Sequence, residues 1–164
     1  GTLAIALAAT AITPAGPAWA QIARQDPARC TGQPEIKPLQ PLEVRTSRGK
    51  THFQVEFADT NRKREFGLMC RRALADDRGM LFDFQQPVDG VAFWMRNTLI
   101  PLDIIYIRPD GKVLSIARNV QALDETPVPA GGVIRGVLEL RAGRAAELGL
   151  VPGDRIVHRI FPRG

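Results

Sequence analysis

The run Phe93-Trp94-Met95-Arg96-Asn97-Thr98-Leu99-Ile100-Pro101-Leu102-Asp103 concentrates side chains that could do chemistry. An indole N–H, a guanidinium, a carboxamide and a carboxylate stand close together there, so donors, acceptors and one titratable acid share a short stretch. Two arrangements fit these residues. In the first, Trp94, Met95, Arg96, Asn97 and Asp103 line a polar pocket for a small ligand, and Asp103 with a shifted proton affinity serves as a general base. In the second, Asp103 is a structural acid at a chain corner. It shares a strand face with Ile105 and Ile107, which draws it inward, and its carboxylate ties the 97–101 turn to its own strand through backbone N–H groups. Trp94, Arg96 and Asn97 are the donors expected to reach it, because an unpaired buried carboxylate is costly. The corner reading ranks slightly ahead, since Asp side chains beside turns ordinarily bond local backbone.

Other reactive residues are scattered. Met69, Met80 and Met95 fall in one window with Cys70 beside the first, and thioethers with a thiol are soft ligands suited to Cu(I). Methionine also fills irregular cores, and Met69 and Cys70 point to opposite faces if that piece is extended. His52 and His158 are far apart in sequence on strand faces expected to look outward, and lack a third zinc ligand or a nucleophile. Ser47 and Ser115 sit in no nucleophile-elbow pattern. Glu139 and Asp154 read as strand-end and turn residues.

The elements that would position these groups begin after a leader. Residues 2–12, TLAIALAATAI, form an apolar run too short to span roughly 30 Å of hydrocarbon. Ala18-Trp19-Ala20 then has the small-x-small form of a signal-peptidase site, so residues 1–20 are expected to be a signal peptide and the protein exported, periplasmic or secreted. Export changes how the cysteines read. Cys30 and Cys70 are either joined in a disulfide, closing a loop of roughly 40 residues, or remain separate thiols. Residues 21–41, rich in Pro and polar groups, read as an extended arm, and 42–164 as a single β domain.

Within that domain, strict alternation at His52–Phe57 places Phe53, Val55 and Phe57 on one face. Asp59 is expected to cap a short helix stopped by Gly67. Met80–Phe84, Val91–Arg96, Leu102–Ile107, Lys112–Ala117, Val133–Leu140 and Arg155–Ile160 read as strands, with Pro109-Asp110-Gly111 as a hairpin turn. Leu102–Ile107 is apolar on both faces, the mark of a strand covered on both sides. A second helix runs over Ala142–Leu148 and closes at Gly149. Short strands, regular turns and two short helices predict a mainly β fold, an antiparallel jelly-roll-like sandwich or barrel. No βαβ alternation and no glycine-rich phosphate loop is expected, which excludes the common nucleotide enzymes. The net charge of +5 is arginine spread along the chain, without the clustering that marks a nucleic-acid surface.

In order and spacing, Ala58-Asp59-Thr60, Gly67 to Arg71, Gly79 to Phe84, Phe93 to Thr98, Ile100 to Ile107, Val137 to Leu140, Ala142-Gly143 and Leu148-Gly149 through Gly153-Asp154 resemble the domain-of-unknown-function 192 family over residues 58–157. The resemblance implies a mainly-β, jelly-roll-like domain and no settled activity. It does not imply a cysteine at position 70. The expectation is therefore a non-catalytic exported β domain without a cofactor, binding a small molecule or a protein partner near Trp94–Asp103, with no nucleic-acid partner and no membrane span after cleavage. An enzyme using Asp103, and a soft-metal carrier using Met69, Cys70, Met80 and Met95, are the alternatives.

Overall fold

The alternating run at 52–57 lies inside a ten-residue strand, and Phe53, Val55 and Phe57 share one buried cluster as a period of two requires. The computed structural model describes residues 22–163, so the expected signal peptide lies outside the described residues. In chain order the elements are β1 (Gln40–Thr46), β2 (Gly49–Ala58), α1 (Asn61–Phe66), β3 (Arg78–Val88), β4 (Ala92–Phe93), β5 (Leu102–Ile107), β6 (Val113–Val120), β7 (Val128–Pro129), β8 (Ile134–Arg141), α2 (Arg144–Leu148) and β9 (Arg155–Val157). Seven strands form one sheet in the order β6-β5-β8-β3-β2-β1-β9, and β4 pairs with β7 as a separate ribbon.

The sheet curls into a half-barrel. Its edges meet where Lys112 bridges Arg155, with Val113 N donating to Asp154 O at 2.8 Å and Ile156 N donating to Gly111 O at 2.9 Å. All seven strands send side chains into the concave core, among them Val44, Phe53, Leu81, Ile105, Val113, Leu138 and Ile156, and α2 adds Ala145 and Leu148. The convex face carries a second core of Met80, Phe82, Ile104, Tyr106 and Val137, covered by Leu68, Met95 and the β4–β7 ribbon. Every residue of β5 is buried, as its apolar pattern on both faces requires.

The mainly β fold with two short helices agrees with the sequence. Some local expectations do not; the last strand, expected at Arg155–Ile160, ends at Val157. β2 and β3 run parallel, with Phe57 opposite Leu81, so one βαβ crossover through α1 stands in an otherwise antiparallel sheet. Parallel neighbours need a long connection, and residues 59–77 supply it. Helix α1 is capped by Thr60, whose hydroxyl accepts from Lys63 N at 3.3 Å; Asp59 pairs with the Lys63 ammonium at 2.8 Å instead. The strand expected at Val91–Arg96 shrinks to Ala92–Phe93, because Asn97 takes a left-handed φ of 56° and the chain bends away to meet residues 22–25.

Candidate functional site

Strand β8 lies between β5 and β3, and its side chains alternate between the two cores. Leu138 and Leu140 point into the concave core; Val137 and Glu139 face the convex side, Glu139 level with Met80 and Ile104. A carboxylate therefore stands in the middle of an apolar row. Glu139 is 5% exposed, and among the described residues no donor reaches it. Burial alone pushes its carboxyl up to about 8, since charging it there forfeits hydration without a partner. The nearby Tyr106 phenol is raised beyond its usual range, mainly by burial, with Glu139 adding repulsion; its hydroxyl donates to Val128 O.

Glu139 opens onto a cavity of about 390 Å³. Phe82 and Phe84 of β3, Phe93 of β4, Trp94 and Phe66 form aromatic walls, with Leu68 and Met69 between them. Asn61, Arg64 and Glu65 of α1 contribute to its lining. Phe93 meets Phe82 edge-on with centroids 5.0 Å apart, and Tyr106 edge-on at 5.9 Å. Three of the lining rings carry a guanidinium over a face: Arg62 at 4.8 Å from Phe66, Arg64 at 5.4 Å from Phe84 and Arg96 at 3.8 Å from Trp94. Arg64 is held further by Asp83 O at 2.7 Å and Asn61 Oδ1 at 2.6 Å.

The structure divides the residues between Phe93 and Asp103 among three tasks. Phe93, Trp94 and Thr98 line the cavity. Met95 is buried in the convex core. Arg96 and Asn97 hold residues 22–25: Arg96 pairs with Glu125 and donates to Ile22 O at 2.8 Å, while Asn97 donates to Ala23 O at 2.9 Å and accepts from Gln25 N at 2.8 Å. The carboxamide thus pairs with the arm as a peptide group would.

Asp103 belongs to the other face. Its Oδ1 accepts from Asn119 N at 2.9 Å and its Oδ2 from Ala145 N at 2.8 Å, so it fastens the end of β6 and the first turn of α2 to β5. The expected donors Trp94, Arg96 and Asn97 do not supply these bonds. Strand alternation is the reason: position 103 looks into the concave core, while the 93–97 segment packs on the convex side.

The remaining candidates are also placed. Cys70 is joined to Cys30 with Cα atoms 5.3 Å apart, so its thiol is not available as a soft ligand. Met80 and Met95 are packed in the convex core, and Met69 lies with its sulfur 3.9 Å from Asn97 Nδ2. Among the described residues no three His, Cys, Asp or Glu side chains cluster as a metal site would need. His158, expected on an outward face, is buried against Phe57, and its Nε2 lies 2.8 Å from Gln40 Oε1. Burial and then Arg159 push it down to about 4. His52 is exposed beside Glu43.

Glu139, which the sequence alone presents as a strand-end residue, is the functional candidate of this site. Its signal was nonetheless present, since Val137-Leu138-Glu139-Leu140 is an apolar run interrupted by one acid. What a sequence does not reveal is whether a donor stands opposite.

The comparisons with known proteins agree with this architecture. Residues 43–158 match the DUF192 family model, described as an uncharacterized ACR. No curated protein matches the chain. A solved structure of a protein of unknown function from Novosphingobium aromaticivorans is similar at 36% identity and a TM-score of 0.72, over 89% of this chain and 100% of that one. A second, from Sinorhizobium meliloti and named a candidate transcription regulator, is similar at 38% identity and a TM-score of 0.69, over 74% of this chain and 95% of that one.

Proposed function

This chain belongs to the DUF192 family, and from that premise we propose that it is a small-ligand-binding protein whose site is the aromatic cavity on the convex face, with Glu139 as its polar anchor. One observation carries the reading. Buried acids in folded proteins are ordinarily supplied with donors, and here Glu56 has Arg71 and Ile36 N, Asp83 has Arg135 and Gln85 N, and Asp103 has two backbone N–H groups. Glu139 has none among the described residues, and it faces a cavity of the size that small-molecule sites have. An acid without a donor among the described residues, set in an apolar wall beside a cavity, is suited to take a partner from a ligand.

The proposal is for binding rather than turnover. The Asp103 alternative draws no support from a carboxylate whose two oxygens are both occupied by backbone donors. The name of the Sinorhizobium neighbour does not enter the reading either, because helices of six and five residues offer little length for reading a DNA groove. Export remains part of the proposal: the Cys30–Cys70 pairing suits an oxidising compartment. Fractionation of the full-length precursor in its host tests that part.

For the site, a panel of small amines, alcohols, sugars and acids is titrated while melting temperature and two-dimensional NMR spectra are recorded. A binder should raise the melting temperature and move the signals of Phe93, Trp94 and Glu139, leaving Asn119 and Ala145 unmoved. A panel with no such member, or one whose shifts gather elsewhere, would remove the proposal.

A further inference from the structure

We infer that the ligand is a small organic cation, an alkyl- or arylalkylammonium ion whose charged head meets the Glu139 carboxylate between the aromatic walls. This deepens the binding proposal above and rests on it. Three features of the cavity point to that chemistry. First, the carboxylate in its lining is an acceptor without a donor among the described residues; a cation supplies both charge and hydrogen bonds, and beside apolar walls their attraction exceeds that in bulk water. Second, the walls are aromatic, and ring faces attract cations. The fold itself uses them so, laying Arg62, Arg64 and Arg96 over Phe66, Phe84 and Trp94. Third, Phe82 and Phe93, which share the lining with Glu139, add ring surface that carries no arginine among the described residues.

Most charged groups around the cavity already have partners. Arg64 keeps its positive charge at the lining, but its N–H groups are held by Asn61 Oδ1 and Asp83 O and its guanidinium lies over Phe84. Glu56, two strands away in the same row beyond Met80, is neutralised by Arg71 at 2.8 Å. Arg141, two residues along β8, is engaged by Asp76 and Glu147. Tyr106 of β5 is held neutral by burial, and Glu65 adds negative charge to the lining. An anion would instead meet the carboxylate with repulsion.

The binding step balances as Glu139–COOH plus ammonium giving the carboxylate–ammonium pair and one proton released to solvent. Because the empty carboxyl titrates near 8, affinity for a cation should fall on the order of tenfold for each pH unit below that value, while affinity for a neutral isostere should not.

The test uses the whole protein and two matched sets: benzylammonium, benzyl alcohol and benzoate; and choline with its neutral isostere 3,3-dimethylbutan-1-ol. Calorimetry at pH 6 and pH 8.5 in buffers of different ionisation enthalpy reads affinity and proton release together. The expected result is that at pH 8.5 each cation binds at least tenfold more tightly than its neutral isostere. The preference should shrink at pH 6 with proton release, and vanish in Glu139→Gln. Phe93→Leu, which keeps the carboxylate, should weaken the cations several-fold more than the alcohols. Equal binding of cation and alcohol in the pocket, or tighter binding of benzoate, overturns the inference and leaves the binding site standing. Failure of every probe and of the wider panel overturns both. Circular dichroism and melting of both variants confirm that they fold.

Discussion

Asp103 and Glu139 lie on neighbouring strands, one step apart in register, and on opposite faces of one sheet: Asp103 is opposite Leu140 and Glu139 opposite Ile104. Both are buried acids, at 1% and 5% exposure. Asp103 receives a backbone N–H on each oxygen and so becomes part of the scaffold. Glu139 receives none from the described residues, and it borders a cavity. The pair teaches that burial of a charge does not by itself mark a site. A saturated acid is a fastening, and an unsaturated one beside open space is a place for a ligand.

The contrast between the two acids should show most strongly in the pH dependence of stability. The folded Glu139 carboxyl titrates near 8, against an ordinary value of 4.5. Between those values the unfolded chain surrenders its proton while the folded chain keeps it, so stability falls as pH rises through the window. The loss reaches roughly 4–5 kcal/mol at about 1.4 kcal/mol per tenfold. His158 acts with the opposite sign between its folded value of about 4 and its ordinary 6.5, so the informative quantity is the difference between parent and Glu139→Gln. Urea unfolding at intervals from pH 5 to 8.5 should show the variant gaining on the parent steadily. Parallel profiles would mean that the carboxyl already has a donor.

Reducing the Cys30–Cys70 bond is the next largest perturbation, about 3–4 kcal/mol from loop-closure entropy. It sharpens the comparison because the tethered arm bonds to Arg96 and Asn97, near Trp94 on the convex side. NMR of the reduced protein should show shifted signals for Phe93, Trp94 and Asn97, with the Asn119 and Ala145 amides unmoved. Movement of both sets together would show the two faces to be coupled.

Asp103→Asn should cost about 2–3 kcal/mol, since an amide sets an NH2 group against one of two buried N–H donors. Thermal or urea unfolding reads this, and an undiminished stability would remove the fastening role. The smallest effect expected is that of Asn119→Ala. Asn119 holds a φ of 52°, which an alanine adopts less readily than an asparagine, so about 1 kcal/mol should be lost without change in any binding at Glu139.

Much of the scaffold was legible. The alternation at 52–57, the two-sided apolar run at 102–107, and the turn at 109–111 each rest on local periodicity or turn chemistry, and each stands where expected. The inward direction of Asp103 was legible for the same reason, since residues two apart share a face. Its partners were not. They come from residues 119 and 145, far along the chain and brought near only by the order in which strands pair. The parallel β2–β3 pairing was hidden likewise, because pairing direction leaves little trace in side-chain period.

The amino-acid order alone determined which segments extend, where they turn, and that Phe93 to Asp103 would join a corner to a covered strand, because backbone preference and face alternation act over a few residues. Tertiary contacts alone fasten Asp103 and leave Glu139 without a donor among the described residues. A hydrogen bond needs its donor within about 3 Å, and which donors arrive there depends on strands and helices distant in sequence.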